Sequence, residues 1–239
     1  MRNNTIKLLE WDSQFFGYPV ARITIDNEYT DKLDDLFLQI KTHKFRLVYF
    51  IVPPEEIGLN IRIKRMGSTL VDQKTVFAKQ TKEHKNILNI ITEFTSDVVN
   101  NELYKLVLQA GQYSRFRIDA NFTNREFERL YFEWLNQSIQ KRNDFKILVS
   151  KKQTNIAGIT TIGVQEQFAE IGLVAVDRNC RRQGIGKDLI LSADTFAYAR
   201  GINEIKVTTQ LKNSEACRLY EKCNFHIEKI TNIYHYWRK

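Results

Sequence analysis

Glycine and proline are scarce, 10 and 3 among 239 residues, which excludes a collagen-like or low-complexity chain. No window holds the roughly 18 to 20 uncharged apolar residues that a membrane-spanning helix needs. Met1-Arg2-Asn3-Asn4-Thr5 leads straight into an alternating pattern, without the apolar run of a secretion signal. The three cysteines, Cys180, Cys217 and Cys223, are an odd number and lack metal-ligand spacing. Free thiols in a reducing cytoplasm are expected, with no metal. Lys/Arg runs interleaved with aromatics are also missing, which argues against a nucleic-acid partner.

The residues present make an ordinary globular mixture, 43% hydrophobic and 27% charged, in a chain long enough to bury a sizeable core. The net charge is +8 and uneven. Residues 1–80 carry 12 basic and 10 acidic groups, and the remainder 24 and 18. By charge alone the partner could be coenzyme phosphates, a nucleotide diphosphate, nucleic acid or a membrane surface.

Hydrophobic periodicity divides the chain. Val20 to Ile25 alternates with period two, and Leu33, Leu36, Phe37 and Ile40 recur at helical spacing behind a capping Thr30 or Asp31. Phe45 to Val52 reads as a buried strand stopped by Pro53-Pro54. A helix ending at Gly67 and a strand from Thr69 to Lys79 complete a β-α-β-α-β unit. Residues 81–100 read as a connection holding one strand or short helix. Helices are expected over Glu102 to Tyr113 and Asn124 to Arg142, the second with an apolar stripe of Phe127, Leu130, Tyr131, Trp134, Leu135 and Ile139. Strands follow at Phe145 to Ser150, Ile159 to Val164 and Phe168 to Val176, with a hairpin turn expected at Asn155-Ile156-Ala157-Gly158. Helices at roughly 184–200 and 214–223 flank a strand from Glu204 to Gln210, and Phe225 to Trp237 is strand-like. The pattern predicts an α/β fold: a smaller N-terminal α/β domain over 1–80 and a larger domain over 81–239. The order helix, turn residue, strand over Ile61 to Phe77 returns over Cys217 to Tyr234, an echo that duplication or chance could produce.

Chemistry concentrates between Ile171 and Phe225. An apolar strand ends at Val176. Asp177-Arg178-Asn179-Cys180 turns, and Arg181-Arg182-Gln183-Gly184-Ile185-Gly186-Lys187 opens an amphipathic helix. A helix start leaves about four backbone N–H groups without intrahelical partners. Small glycines let a phosphate approach them, and the basic side chains suit a diphosphate. The spacing is neither that of a Walker loop nor of a three-glycine dinucleotide turn. Downstream come the strand Ile205 to Thr209 and Asn213-Ser214-Glu215-Ala216-Cys217-Arg218-Leu219-Tyr220-Glu221-Lys222-Cys223-Asn224-Phe225.

Together these motifs, over roughly residues 144–238, resemble the acetyl-CoA site of the GCN5-related N-acetyltransferase (GNAT) superfamily. The one departure is Asn224 where the family has glycine, and Asn tolerates the left-handed turn. The resemblance implies a GNAT fold, a mixed central sheet flanked by helices, with acetyl-CoA as cosubstrate. It implies that Arg181, Arg182, Gln183, Gly184, Ile185, Gly186 and Lys187 hold the pyrophosphate and that Val174 and Val176 pair with the pantetheine. Asn213 would bond the pantetheine or a nearby water, and Tyr220 would protonate the leaving thiolate. On this view the N-terminal domain is either an added domain or a degenerate GNAT-like half.

Three further stretches are similar to the dTDP-fucosamine acetyltransferase group: Leu9-Glu10-Trp11-Asp12-Ser13-Gln14-Phe15-Phe16-Gly17, Gln112 to Arg117 before the helix holding Phe132-Glu133-Trp134-Leu135, and Tyr198-Ala199-Arg200-Gly201 followed by Val207-Thr208-Thr209-Gln210. That similarity implies acetylation of the 4-amino group of a dTDP-linked 4-amino-4,6-dideoxy sugar during surface-polysaccharide synthesis. Tyr113, Arg115, Phe116 and Arg117 become candidates for the sugar nucleotide, with a basic loop as the plain alternative. A protein N-terminus, a polyamine or an aminoglycoside remains the alternative acceptor. No general base stands out: Glu170 could relay a proton or be a solvated carboxylate, and His226 and His235 read as structural. A homodimer is left open.

Overall fold

The computed structural model describes residues 6–25, 33–140 and 145–238. The capping Thr30 or Asp31 and the end of the long helix at Arg142 lie outside these. In chain order the elements are β1 (Lys7–Leu8), α1 (Glu10–Phe16), β2 (Val20–Thr24), α2 (Leu33–Thr42), β3 (Leu47–Val52), α3 (Ile57–Arg65), β4 (Thr69–Gln80) and β5 (Ile91–Glu93). Then come α4 (Asn101–Ala110), α5 (Arg115–Ile118), α6 (Glu126–Gln140), β6 (Phe145–Lys152), β7 (Asn155–Val164) and β8 (Ala169–Val176). The chain closes with α7 (Ile185–Tyr198), β9 (Glu204–Gln210), α8 (Ser214–Lys222) and β10 (His226–Trp237). No helix among the described residues is long and apolar enough to cross a membrane.

The chain forms two compact units, Met1–Thr75 with Ile230–Lys239, and Val76–Lys229. A linear division at residue 80 therefore misses the end of β10, which returns to the first unit. The reason is pairing: Asn232 to Trp237 run antiparallel to Val52 to Leu47, giving those residues their backbone partners.

In the first unit the strand order is β1-β2-β3-β10-β4. β2 and β3 are parallel and paired without interruption from Val20↔Leu47 to Thr24↔Ile51. β3 is almost wholly buried, as its unbroken apolar run requires. The apolar stripe of α2 packs on it through Leu33, Phe37 and Ile40. One buried polar side chain organises this core. The Asn60 amide donates to the carbonyls of Pro53 (2.9 Å) and Glu56 (2.8 Å). Its oxygen accepts from Asn232 Nδ2 (2.8 Å) and the Tyr234 hydroxyl (2.6 Å).

The second unit has the order β4-β9-β8-β7-β6-β5, with β8 and β9 parallel and β5 to β8 antiparallel. Its sheet buries Phe77, Ile162, Ile171 and Val207 against Ile190, Ala193 and Ala197 of α7. The stripe of α6 is buried at Phe127, Leu130, Tyr131, Leu135 and Ile139, while Trp134 is half-buried. The hairpin turn lies three residues earlier than expected. Lys152 pairs with Asn155, so Gln153 (φ 55°) and Thr154 make the turn and Asn155 to Gly158 already belong to β7. Gly158 serves packing instead, since a Cβ there would meet Ile185 Cγ2 at 2.8 Å.

A helix, a left-handed residue and a strand occur twice along the chain at matching spacing. α3 leads through Gly67 (φ 90°) to β4, and α8 through Asn224 (φ 65°) to β10. Asn224 thus takes the backbone conformation foreseen for it.

Replacing Asn60 by alanine takes the acceptor from the Tyr234 hydroxyl and Asn232 Nδ2, while the Pro53 and Glu56 carbonyls keep only their backbone donors, Glu56 N and Asn60 N. Asn60→Ala is expected to destabilise the protein by about 2–4 kcal/mol, read as a lowered urea midpoint. An unchanged midpoint would remove the network from the account.

Candidate active site

The site is built around an interruption in β8. Pairing with β7 steps from Thr160↔Val174 to Ile162↔Ile171, so two residues of β8, Gly172 and Leu173, oppose Thr161. This is a β-bulge, which bends the strand that carries it. The Leu173 N–H donates to Thr161 Oγ1 at 2.9 Å, and a Cβ on Gly172 would sit 2.8 Å from that same oxygen. A side chain there would push Thr161 away. On the other edge, β8 pairs with β9 only at Ala169↔Ile205, Glu170↔Lys206 and Ile171↔Val207. Beyond the bulge the two parallel strands part. Among the described residues the β9-facing edge of Leu173 to Val176 therefore has no strand partner, as an extended ligand with amide groups would require.

At the end of β8 the chain turns. Asp177 accepts from Asn179 N (2.9 Å) and starts a short 3-10 turn, Arg178–Cys180. Arg182 (φ 61°) and Gly184 (φ 81°) both take left-handed backbone. Gly184 is the N-cap of α7, and a Cβ on it would find nothing closer than 3.6 Å. The space there is open, so glycine is needed for its dihedral, and Arg182, Gln183 and Gly184 before the first turn of α7 are exposed. Gly186 is different. A Cβ on it would meet Leu219 of α8 at 3.3 Å and Val176 at 3.5 Å, so its small size brings α7, α8 and β8 together. Arg181 reinforces this junction, donating to the Val176 carbonyl (3.3 Å) and pairing with Glu215 of α8 (3.3 Å). It is a bracket; Arg182 and Lys187 are the exposed cations of the turn.

Asn213 caps α8, its Oδ1 accepting from Ala216 N at 3.3 Å, so its amide nitrogen is the end left for a ligand. Tyr220 is buried, its ring centroid 5.5 Å from that of Phe77 and 6.1 Å from that of Phe225. Burial, with smaller contributions from Cys217 and Cys223, pushes its hydroxyl well above the usual phenol range, so it holds its proton at neutral pH. Burial likewise pushes the Cys223 thiol up to about 11.

Glu170 stands on the closed part of the split, opposite Lys206 and Gly163. His226 is exposed at the start of β10, and His235 is buried in the other unit with its ring 4.9 Å from Tyr49. None of the three lies along the parted strands. The 112–117 segment forms a 3-10 turn and α5. Phe116 offers no free face for a base: it is 6% exposed, with Phe122 and Trp134 around it and the Arg115 guanidinium 4.7 Å over its ring. The apolar stripe of α6 needs an opposing ring, which Phe116 supplies. Tyr113 is half-buried and Arg117 exposed, the latter stacking over Phe127 at 5.3 Å. A cavity of about 440 Å³ beside the turn, between α4, the β6–β7 hairpin and Asp177 to Cys180, was not foreseen. No group of His, Cys, Asp and Glu among the described residues could hold a metal ion.

Reading the sequence alone missed Thr161, Gly172 and Phe77. Gly172, a lone glycine inside an apolar strand, was the available signal for a bulge.

Residues 111–225 match the model of the acetyltransferase (GNAT) family. A dTDP-fucosamine acetyltransferase of Escherichia coli O6:H1 (strain CFT073) is 23% identical over 235 residues, 98% of this chain and 96% of that protein. Among solved structures, a functionally unknown conserved protein of Staphylococcus epidermidis superposes with TM-score 0.65 at 16% identity, covering 100% of this chain and 94% of the other. A GCN5-related N-acetyltransferase of Sphaerobacter thermophilus gives TM-score 0.57 at 16% identity, over 91% and 73%. The shared mixed α/β architecture is that of GNAT structures.

Valine at position 184 carries a β-branched side chain into a left-handed turn and over the exposed helix start. Gly184→Val is expected to weaken acetyl-CoA binding at least about 10-fold without unfolding the protein, read by calorimetry beside circular dichroism. Undiminished affinity in a folded variant would contradict the role given to the turn.

Proposed function

This chain carries an acetyltransferase domain of the GNAT family, which uses acetyl-CoA, and on that premise we propose that it acetylates the 4-amino group of a nucleotide-linked 4-amino-4,6-dideoxy sugar. The observation that carries the acceptor is the extent of the likeness to the dTDP-fucosamine enzyme, 98% of this chain. It takes in the first unit, which lies outside the residues matched by the family model.

Acetyl-CoA supplies the acetyl group as a thioester; the acceptor amine forms the new C–N bond as the C–S bond breaks and the thiolate leaves. The parted edge of β8 suits the pantetheine, Val174 and Val176 offering backbone groups with the Asn213 amide beside them. The N–H groups over residues 182–187 suit the diphosphate, helped by the charges of Arg182 and Lys187. Tyr220 donates its proton to the leaving sulfur. A phenol held above its usual range remains protonated for that step and regains its proton quickly afterwards. The proton lost by the attacking amine passes to solvent. Tyr113, Arg115 and Arg117 are the groups proposed for the nucleotide, Arg115 seated over Phe116 and Arg117 over Phe127.

The first unit is read as a degenerate GNAT-like half. The repeat of helix, left-handed residue and strand supports this, as does the parallel pair β2–β3, counterpart of β8–β9. That pair is closed along its whole length, and Ile63, buried in the core, stands where Tyr220 stands when Gly67 is aligned with Asn224.

Release of CoA from acetyl-CoA is to be followed with a dTDP-linked 4-amino-4,6-dideoxy sugar, spermidine, an aminoglycoside and a peptide amine. Turnover is expected with the sugar nucleotide. Tyr220→Phe is expected to lower its kcat by roughly 100-fold with little change in KM for acetyl-CoA. Turnover confined to a peptide, polyamine or aminoglycoside would overturn the acceptor; wild-type kcat in the variant would overturn the role of Tyr220.

A further inference from the structure

The connection from β4 to β5 has no regular hydrogen bonding of its own, yet it is tied along α7. Near the C-terminal end of that helix, Thr81 N donates to the Asn203 carbonyl (3.0 Å) and Thr81 Oγ1 to that of Ile202 (2.5 Å). Midway, the wholly buried Asp194 accepts from Lys82 N (3.2 Å), meets His84 Nε2 (2.5 Å) and pairs with Lys79 (2.6 Å). At the N-terminal end Asn89 closes the strap. Its N–H and its Nδ2 both donate to Asp188 Oδ2, at 2.9 and 2.6 Å, and Nδ2 also reaches the Gln183 carbonyl at 3.3 Å.

We infer that Asn89 is a positioning residue for the coenzyme: it orients the Gln183–Gly184 peptide and restrains the Asp188 carboxylate in the first turn of α7. The inference rests on reading residues 182–187 as the diphosphate site. A trans peptide carries its C=O and N–H on opposite sides. With the Gln183 carbonyl turned to Asn89, the Gly184 N–H is aimed away from the strap, toward the exposed side of the turn. That peptide has left-handed residues on both sides of Gln183, Arg182 and Gly184. Glycine tolerates the alternative dihedral equally well, so the local sequence does not hold the plane; Asn89 does. The second effect is electrostatic. Asp188 is 3% exposed, and a carboxylate in the first turn opposes a bound anion. Two donors on one oxygen draw its charge toward the strap.

The test is calorimetric titration of the full chain with acetyl-CoA and with S-acetylpantetheine, which keeps the thioester arm and lacks the diphosphate. Asn89→Ala is expected to raise the acetyl-CoA Kd about 10-fold and to leave S-acetylpantetheine unchanged. Leu88→Ala, at a neighbour 90% exposed, should alter neither. Asn89→Ser carries the same test should the alanine variant fail to fold. Equal weakening of both ligands, or of neither, overturns the inference. A wild-type protein that binds S-acetylpantetheine but gains nothing from the diphosphate of acetyl-CoA overturns the reading of the turn beneath it.

Discussion

The contact between Gly172 and Thr161 is the constraint from which the site follows. It exists because β8 carries one residue more than β7 opposite Thr161, and because the extra N–H, on Leu173, finds a hydroxyl instead of a carbonyl. A Cβ at position 172 would sit 2.8 Å from that hydroxyl and displace Thr161. The bend that the bulge imposes ends the pairing of β8 with β9 after Ile171 and Val207 and opens an edge with backbone donors and acceptors. The counterpart pair β2–β3 remains closed and offers no such edge. The same pair of parallel strands is thus closed in one unit and parted in the other.

An opened edge is of use only if the turn that follows it and the helix that brings Tyr220 are held in register with it. Steric and ionic contacts do this together. Gly186 lets Leu219 and Val176 approach α7, and Arg181 spans from the Val176 carbonyl to Glu215. Behind α7, Asp194 and Lys79 form a buried ion pair, and Lys79 also donates to the Cys223 carbonyl at 3.2 Å. Breaking such a pair from one side strands a buried charge, which fixes β4 against both helices. Phe77, on the same strand, packs on Tyr220, so burial that stabilises the sheet also keeps the phenol protonated.

Most of the architecture was legible in the residues, because long apolar stripes and runs report their own burial: β3, α2 and α7 lie within a few residues of their expected bounds. The turn at 181–187 and the helix of Tyr220 were legible for another reason, since glycine, arginine and asparagine at fixed offsets carry a backbone requirement. What escaped depends on residues far apart in sequence. The return of β10 to the first unit is decided by its pairing with β3. The burial of Phe116 is decided by α6 and Phe122, although its neighbours Arg115 and Arg117 had suggested a surface platform. The connection at 81–90 has no periodicity, and its contacts with Asp188 and Asp194 are specified a hundred residues later. The hairpin at 153–154 was displaced because Asn155 and Gly158 look like turn residues while serving a strand.

On the function proposed, one parted pair of parallel strands makes one coenzyme site. Calorimetric titration of the full chain with acetyl-CoA tests it directly. Saturation at one acetyl-CoA per chain is expected. Saturation at two would mean that the closed pair β2–β3 also binds, and would contradict it.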